Sequence, residues 1–161
     1  MSLLILSLVL STQAAAQTPN VVSGDTLEFG GITMRLHGVV APHLDEICMV
    51  DGEEVPVGRL LADALRDLIK GQVPDCRPIE NRHRFDADFV VRCDIHRPKD
   101  SDGRSTVERT DLGRLMVEYG IAWEFIAESH LRYSPAEARA ASAGRGVWAS
   151  DCRRPWGIPP E

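Results

Sequence analysis

The chain has 161 residues, 43% of them hydrophobic, and a formal net charge of −6. This length and apolar content fit one globular domain with a hydrophobic core. The acidic balance argues against a general nucleic-acid binder, because such proteins usually carry a basic face, although it leaves room for a local basic patch.

The N-terminal segment, residues 1–16, has the pattern of a secretory signal peptide. Leu3–Leu10 is an apolar run, and Ala14–Ala16 supplies small residues for cleavage before Gln17. No Lys or Arg precedes the run, so either the true start lies upstream or the signal is atypical. A membrane anchor is the alternative, but the run is far shorter than the roughly 20 residues that span a bilayer. We therefore predict export to the periplasm or medium, a single domain over residues 17–161, and no membrane span after cleavage.

The N-terminal half of the domain contains a hairpin region and the clearest helix. Gly30-Gly31 separates two alternating apolar and polar runs within Val21–Val40, which predicts two or three strands. Leu44–Glu54 is rich in acidic residues and is predicted to be a loop. Val57–Ile69 has apolar residues at i, i+3 and i+4, with Gly71 where a C-terminal cap belongs. This segment is predicted to be a helix whose whole apolar stripe covers a sheet.

The C-terminal half predicts two more strands and two more helices. Val73–Ile79 is a short strand that Pro74 and Pro78 confine to a sheet edge, and Phe89–Ile95 is a second strand. The remaining segments are the charged turn Glu80–Asp88, the polar loop Arg97–Ser105, a helix from Thr110–Leu112 to Gly120, and a helix from Ser134 to about Ala143 with a capping-box pattern and Pro135 at its start.

Four cysteines, an even number, fit disulfide bonds in an exported chain and allow three connectivities. Cys76 and Cys93 lie at two successive predicted strands, so we favour a bond between them, which is worth about 3 kcal/mol in the chain-entropy model. Cys48 and Cys152 then pair by elimination. A zinc site is the alternative, but the chain has no Cys-x-x-Cys spacing.

Several short motifs stand at defined intervals along the chain. Gly24-Asp25-Thr26 precedes the hairpin, and Arg35-Leu36, Gly38-Val39 and Pro42 follow it. Later motifs are Asp111-Leu112-Gly113, Met116-Val117, Gly120-Ile121-Ala122 and Gly146-Val147-Trp148. Together they resemble the staphylococcal nuclease (thermonuclease) family over nearly all of residues 20–156. The resemblance implies an α+β fold, a five-stranded OB-type β-barrel with three α-helices.

In active members of this family, calcium-dependent phosphodiester hydrolysis uses metal-binding carboxylates, a general base and two arginines that clamp the phosphate. The resemblance places Asp25 at the first metal carboxylate and Arg35 at one clamp. Each has a structural alternative. Asp25 would bind nearby backbone N–H groups in a turn, and Arg35 would pair with Asp25 or with the acidic loop.

The other three family positions carry different side chains. Val40 stands at the second metal carboxylate and supplies no ligand oxygen, and His43 stands at the glutamate assigned as the base. The second clamp arginine falls on Asp88 when it is counted back from Arg92-Cys93, or on Ala87 after a one-residue slip. An aspartate at the clamp position would repel a phosphate.

Substitutes for these side chains are conceivable. Histidine accepts a proton near neutral pH, so His43 could act as the base, and its structural alternative is a surface histidine after a turn. Arg84 could be a displaced clamp, and its alternative is a solvated turn. Asp45, Glu46 and Asp86 are the possible replacement metal ligands. Arg84 belongs to a small basic cluster, Arg82-His83-Arg84.

These substitutions predict a site without calcium-dependent nuclease activity, because each lost transition-state contact typically costs about 100- to 1000-fold in rate. We therefore expect no cofactor, weak or no nucleic-acid binding, and a binding or scaffold module for a protein or ligand in the exported compartment. The alternative is an active phosphodiesterase on nucleic acid with a rearranged site.

Overall fold

The computed structural model describes residues 18–80, 87–98 and 107–154. The predicted signal peptide lies outside the described residues, and so do the basic cluster Arg82-His83-Arg84 and the possible replacement ligand Asp86.

The fold is mixed α+β and contains a largely open six-stranded sheet. The described residues form ten strands. They are β1 Asn20–Ser23, β2 Thr26–Phe29, β3 Ile32–Leu36, β4 Val39–Val40, β5 Cys48–Val50, β6 Glu53–Val55, β7 Asp75–Ile79, β8 Phe89–Pro98, β9 Val107–Asp111 and β10 Trp123–Glu124. The sheet order is β1-β2-β3-β8-β7, and β9 also pairs with β8. Strands β3 and β8 are parallel, and the other pairs of this sheet are antiparallel. Among the described residues no strand pairing closes the sheet into the five-stranded barrel that the resemblance implies.

In the three described ranges, four α-helices and one 3-10 helix accompany the sheet. They are α1 Val57–Leu68, α2 Leu112–Glu118, α3 Ile126–Ser129, α4 Ser134–Ser142 and the 3-10 helix Gly146–Ala149. The three predicted helices are present, and α1 is the longest in the described part of the chain, as predicted. The sequence did not predict α3, which is only one turn long.

The predicted loop Leu44–Glu54 contains a hairpin instead. Strands β5 and β6 pair antiparallel with Val50 opposite Glu53. The two residues between them, Asp51 and Gly52, both have positive φ, at 51° and 87°. Asp-Gly is a preferred pair for this type of two-residue turn, and the acidic composition of the segment concealed the signal.

Strand β9 is a second element that the sequence analysis missed. Its five residues include Glu108, Arg109 and Asp111, so no apolar alternation marks it. It pairs with the C-terminal part of β8, which runs three residues beyond the predicted end at Ile95.

The capping-box prediction for α4 is wrong. The helix is capped by Tyr133 without a side-chain hydrogen bond. Ser134 Oγ instead donates to Glu124 Oε2 at 2.5 Å, and Glu137 Oε1 accepts from the Glu124 backbone N–H at 2.9 Å. Both residues of the capping pattern therefore fasten α4 to β10, and tertiary contacts replace the local ones.

The core lies between the sheet and the helices. Leu27, Leu36, Leu65 and Met116 are among its fully buried side chains. The predicted stripe on α1 is narrower than expected, because Leu60 is 51% exposed. None of the helices in the described ranges is long and apolar enough to cross a bilayer.

Both predicted disulfides are formed. Cys76 and Cys93 are directly opposite each other on β7 and β8, with their Cα atoms 4.0 Å apart. Strand β7 ends the sheet, which agrees with the edge position predicted from its prolines. Cys48 of β5 is bonded to Cys152, with a Cα–Cα distance of 5.2 Å, and this bond ties the C-terminal segment to the β5–β6 hairpin.

Candidate functional site

Four of the five side-chain positions taken from the resemblance line one cleft of about 590 Å³. They are Asp25 in the turn between β1 and β2, Arg35 on β3, Val40 on β4, and His43 in the loop after β4. The fifth, Asp88, follows Ala87, which also lines the cleft. Four positions between residues 25 and 43 therefore lie at one cleft, together with Ala87.

Asp25 makes structural hydrogen bonds with both of its carboxylate oxygens. Oδ1 accepts from Ser23 Oγ at 2.8 Å and from Thr26 Oγ1 at 3.0 Å. Oδ2 accepts from the Ala41 backbone N–H at 3.0 Å. Gly24 permits the close approach of this turn, because a Cβ there would lie 2.6 Å from Ala41 Cβ. Asp25 thus joins the β1–β2 turn to the segment after β4, which extends the turn role weighed from the sequence.

Arg35 is buried, with only 3% of its surface exposed, and it pairs with Glu128 of α3. Its Nη1 also donates to the carbonyl oxygens of Leu36 at 3.2 Å and Val39 at 3.3 Å. Glu128 Oε2 accepts from the Gly38 backbone N–H at 2.7 Å. The sequence analysis offered Asp25 or the acidic loop as the partner of Arg35, and this is wrong, because the partner is 93 residues further along the chain.

Glu128 is a residue that the sequence analysis did not single out. It is 5% exposed and lies on a helix too short to show an amphipathic period. No local pattern connects it with Arg35, so only the packing of α3 against the end of β3 reveals the pair.

Val40 is buried, whereas His43 is exposed to solvent. Val40 is 6% exposed and pairs with Trp123 across β4 and β10, so it is part of the core. The His43 side chain is exposed. Its loop packs closely on the start of α1, since a Cβ on Gly58 would collide with the His43 carbonyl oxygen. The loop holds His43 at the cleft, and Val40 adds an apolar wall where a ligand carboxylate would be needed.

Asp88 fastens two parallel strands together at the side of the cleft. Its Oδ2 accepts from Thr33 N at 2.8 Å and from Thr33 Oγ1 at 2.9 Å. The backbone bond, and then the side-chain bond, lowers the pKa of the Asp88 carboxyl below its usual range. The residue at the clamp position is therefore an exposed carboxylate with a structural role at the β3–β8 pairing.

The exposed charge at the cleft is mainly negative. Asp45 lines it with a side chain that is 90% exposed, and Arg59 approaches this carboxylate only to 3.9 Å. The positive charge of Arg35 is buried against Glu128. No three His, Cys, Asp or Glu side chains in the described ranges group as metal ligands. Calcium normally takes six to eight oxygen ligands, so these residues do not fit a calcium site.

Comparison with known proteins adds one distant relative. The chain is similar to the succinoglycan biosynthesis protein ExoI of Rhizobium meliloti (strain 1021), with 27% identity over 148 residues, covering 88% of this chain and 71% of that protein. No protein-family model matches the chain.

Proposed function

We propose that this chain is an exported, thermonuclease-like binding or scaffold module that does not hydrolyse phosphodiesters. The observation that carries the proposal is the use of the two retained family side chains. Asp25 holds a turn through three hydrogen bonds, and Arg35 is buried in an ion pair with Glu128. A phosphate clamp needs a guanidinium that is free to meet the substrate, and a metal ligand needs oxygens that face the ion.

The proposed fold is the five-stranded OB-type barrel with three main helices. The β1–β2–β3 order, the parallel contact of β3 with β8 and the meeting of the family positions at one cleft support it. The two disulfides support export, because such bonds persist mainly in oxidising compartments.

A plasmid-nicking assay tests the absence of catalysis. Purified, disulfide-bonded protein is incubated with supercoiled DNA in calcium and, separately, in chelator. We expect the same low background of nicked DNA in both. Calcium-dependent nicking that purifies with the protein would overturn the proposal.

The alternative function is an active phosphodiesterase that uses His43 as its base. Its specific support is the exposed position of His43 at the cleft. If this function is present, His43→Ala abolishes turnover, whereas His96→Ala, at an exposed position on β8, leaves turnover unchanged. If the wild-type protein shows no turnover on DNA or RNA, the alternative fails.

The partner is sought by affinity capture from periplasmic extract with cleft variants as controls. We compare the wild type with Asp45→Lys, which reverses the exposed charge at the cleft, and with Asp63→Lys on α1, which does not line the cleft. A ligand or protein that binds at the cleft is lost only with the first variant. Because the ExoI relative is named for succinoglycan biosynthesis, succinoglycan is included in the ligand panel.

A further inference from the structure

Outside the cleft, a second group of positively charged and titratable side chains meets at the end of β3. Arg92 of β8 places Nη2 3.5 Å from Nδ1 of His37, the residue that follows β3. Arg132 lies in the segment between α3 and α4, next to Tyr133, whose ring would be 3.0 Å from a Cβ on Gly38, and it helps to lower the pKa of His37. None of the three lines the cleft that contains Asp25.

Arg92 has an uncompensated charge and a buried donor without a partner. Its Nε is buried and makes no hydrogen bond, and no described carboxylate forms an ion pair with it. Arg77, directly opposite on β7, is instead exposed and paired with Asp75 at 3.4 Å and Asp94 at 3.8 Å. Leaving a buried polar donor unpaired costs free energy. A guanidinium whose charge no described carboxylate balances is suited to donate hydrogen bonds to a ligand oxygen.

The neighbouring carboxylates are already engaged with other cations. Glu128 pairs with Arg35. Asp111 lies 3.8 Å from Arg132 and also accepts hydrogen bonds from Tyr133 Oη and the Arg114 backbone N–H, each at 3.0 Å. Among the described residues of this cluster, Arg35 and Arg132 each have a carboxylate partner, and Arg92 has none.

His37 completes the set of donors. Burial lowers its pKa below the usual range, Glu128 opposes this effect, and Arg92, Arg35 and Arg132 each lower the pKa further. A neutral imidazole that accepts from Arg92 at Nδ1 carries its proton on Nε2. His37 then presents Nε2–H as a further donor beside the guanidinium.

We propose that Arg92, His37 and Arg132 form a binding site for a small oxyanion, a carboxylate or phosphate group, separate from the cleft. The planar guanidinium fork matches either group through two parallel hydrogen bonds. The bound anion compensates the positive charge of Arg92 and accepts hydrogen bonds from its Nη groups, because the Nε is buried. This site does not depend on whether the cleft is catalytic.

The test is a titration of the full disulfide-bonded protein with sodium phosphate and, separately, sodium acetate, at ionic strength held constant with sodium chloride. The His37 ring resonances and the Arg92 Nε–H resonance are followed by NMR. We expect saturable shifts confined to this cluster and a higher His37 pKa in the bound state. The anion with the lower dissociation constant identifies the preferred chemistry. Shifts of the same size in sodium chloride alone overturn the proposal, because they show a general effect of salt and not binding of an oxyanion.

Substitutions at the two opposed arginines give the matched comparison. Arg92→Gln is expected to weaken binding by about tenfold or more, since it removes the fork and its charge. Arg77→Gln, on the paired residue of β7, leaves the affinity unchanged. Arg92→Lys keeps the positive charge but removes the planar guanidinium. The melting temperature of each variant shows whether a loss of affinity reflects misfolding. Unchanged affinity in a folded Arg92→Gln variant overturns the site.

Discussion

At the scale of single residues, a side chain that matches a functional position in sequence can have a structural role instead, and the burial of the side chain decides between the two roles. Arg35 resembles a phosphate clamp in sequence, yet it is 3% exposed and pairs with Glu128. A buried charge needs its counter-charge, because removing one partner leaves the other without solvent or compensation. Arg35 is therefore a structural residue first, and its contribution is measurable as stability.

Glu128→Gln tests that role. The substitution removes the carboxylate that pairs with the buried guanidinium of Arg35, and we expect a loss of about 3–5 kcal/mol in the free energy of unfolding, measured by urea denaturation. The control is Asp63→Asn, which removes an ion pair with Arg66 whose side chains are more than half exposed. That pair is expected to contribute less than about 1 kcal/mol. Equal losses in the two variants would contradict the structural role of the buried pair.

His37 gives the fold a specific pH dependence. Its pKa is lowered by burial and by Arg92, Arg35 and Arg132, against the opposing effect of Glu128. The unfolded chain, with a histidine pKa near about 6.5, therefore takes up a proton at higher pH than the folded chain. The stability that this group contributes is complete above about pH 6.5 and is lost as the pH falls through the folded pKa.

We expect His37→Gln to lose less stability than the wild type when the pH is lowered from about 7 to about 5, as measured by urea midpoints. His96→Gln, at an exposed position on β8, serves as the control and follows the wild-type profile. A His37→Gln profile parallel to that of the wild type would refute the assignment.

At the scale of elements, local signals in the sequence predicted the elements whose contacts are local. The β2–β3 hairpin and helix α1 follow from Gly30-Gly31 and from apolar periodicity. The β5–β6 hairpin was missed although Asp51-Gly52 marks its turn, because the acidic composition was given more weight than the turn chemistry. Strand β9 and the attachment of α4 depend on tertiary partners, which no window of sequence contains.

For the candidate site, too, the sequence indicated some residues and left others unrecognised. The four positions taken from the resemblance, Asp25, Arg35, Val40 and His43, line one cleft. Glu128, which determines what Arg35 does, could not be predicted, because its short helix has no periodic pattern and its partner is distant. The sequence thus indicated where the site lies, while the pairing of its charges required coordinates.

The two disulfides connect elements over very different lengths of chain. Cys48 and Cys152 are 104 residues apart, and Cys76 and Cys93 are 17 apart. In the chain-entropy model, bonds over such lengths contribute about 4.7 and about 3 kcal/mol. We therefore expect the Cys48→Ser/Cys152→Ser double variant to lose more stability than Cys76→Ser/Cys93→Ser, measured by chemical denaturation without reductant. The reverse order would show that strain or denatured-state structure outweighs loop length.

At the scale of the whole molecule, charge determines which polymers can bind. The net charge is −6, and exposed carboxylates include Asp45 at the cleft and Asp88 next to the lining residue Ala87. Binding to nucleic acid draws much of its free energy from cations that displace counterions. We expect fluorescence anisotropy with a single-stranded oligonucleotide to show only weak binding at physiological ionic strength. Low-micromolar affinity with a steep salt dependence would contradict this expectation.

The response of the whole fold to calcium follows from the same arrangement. Of the two positions that the resemblance matches to metal-binding carboxylates, Asp25 has two oxygens that already accept three hydrogen bonds, and Val40 is buried in the core. A ligand at 100 times its dissociation constant stabilises the native state by about 2.7 kcal/mol, whereas one far below that constant contributes almost nothing. Thermal melts in millimolar calcium should therefore superimpose on melts in chelator at matched ionic strength.

Magnesium at the same concentration controls for general divalent effects, and Asp25→Asn controls for the site, since an amide keeps the shape of the side chain without its charge. A rise in melting temperature that is specific to calcium and disappears in Asp25→Asn would show that a metal site survives. Asp45 lines the same cleft and Glu46 follows it in the loop, so they would then be the first residues to examine as additional ligands. A rise that persists in Asp25→Asn would place the calcium elsewhere on the acidic surface and leave the cleft without a metal.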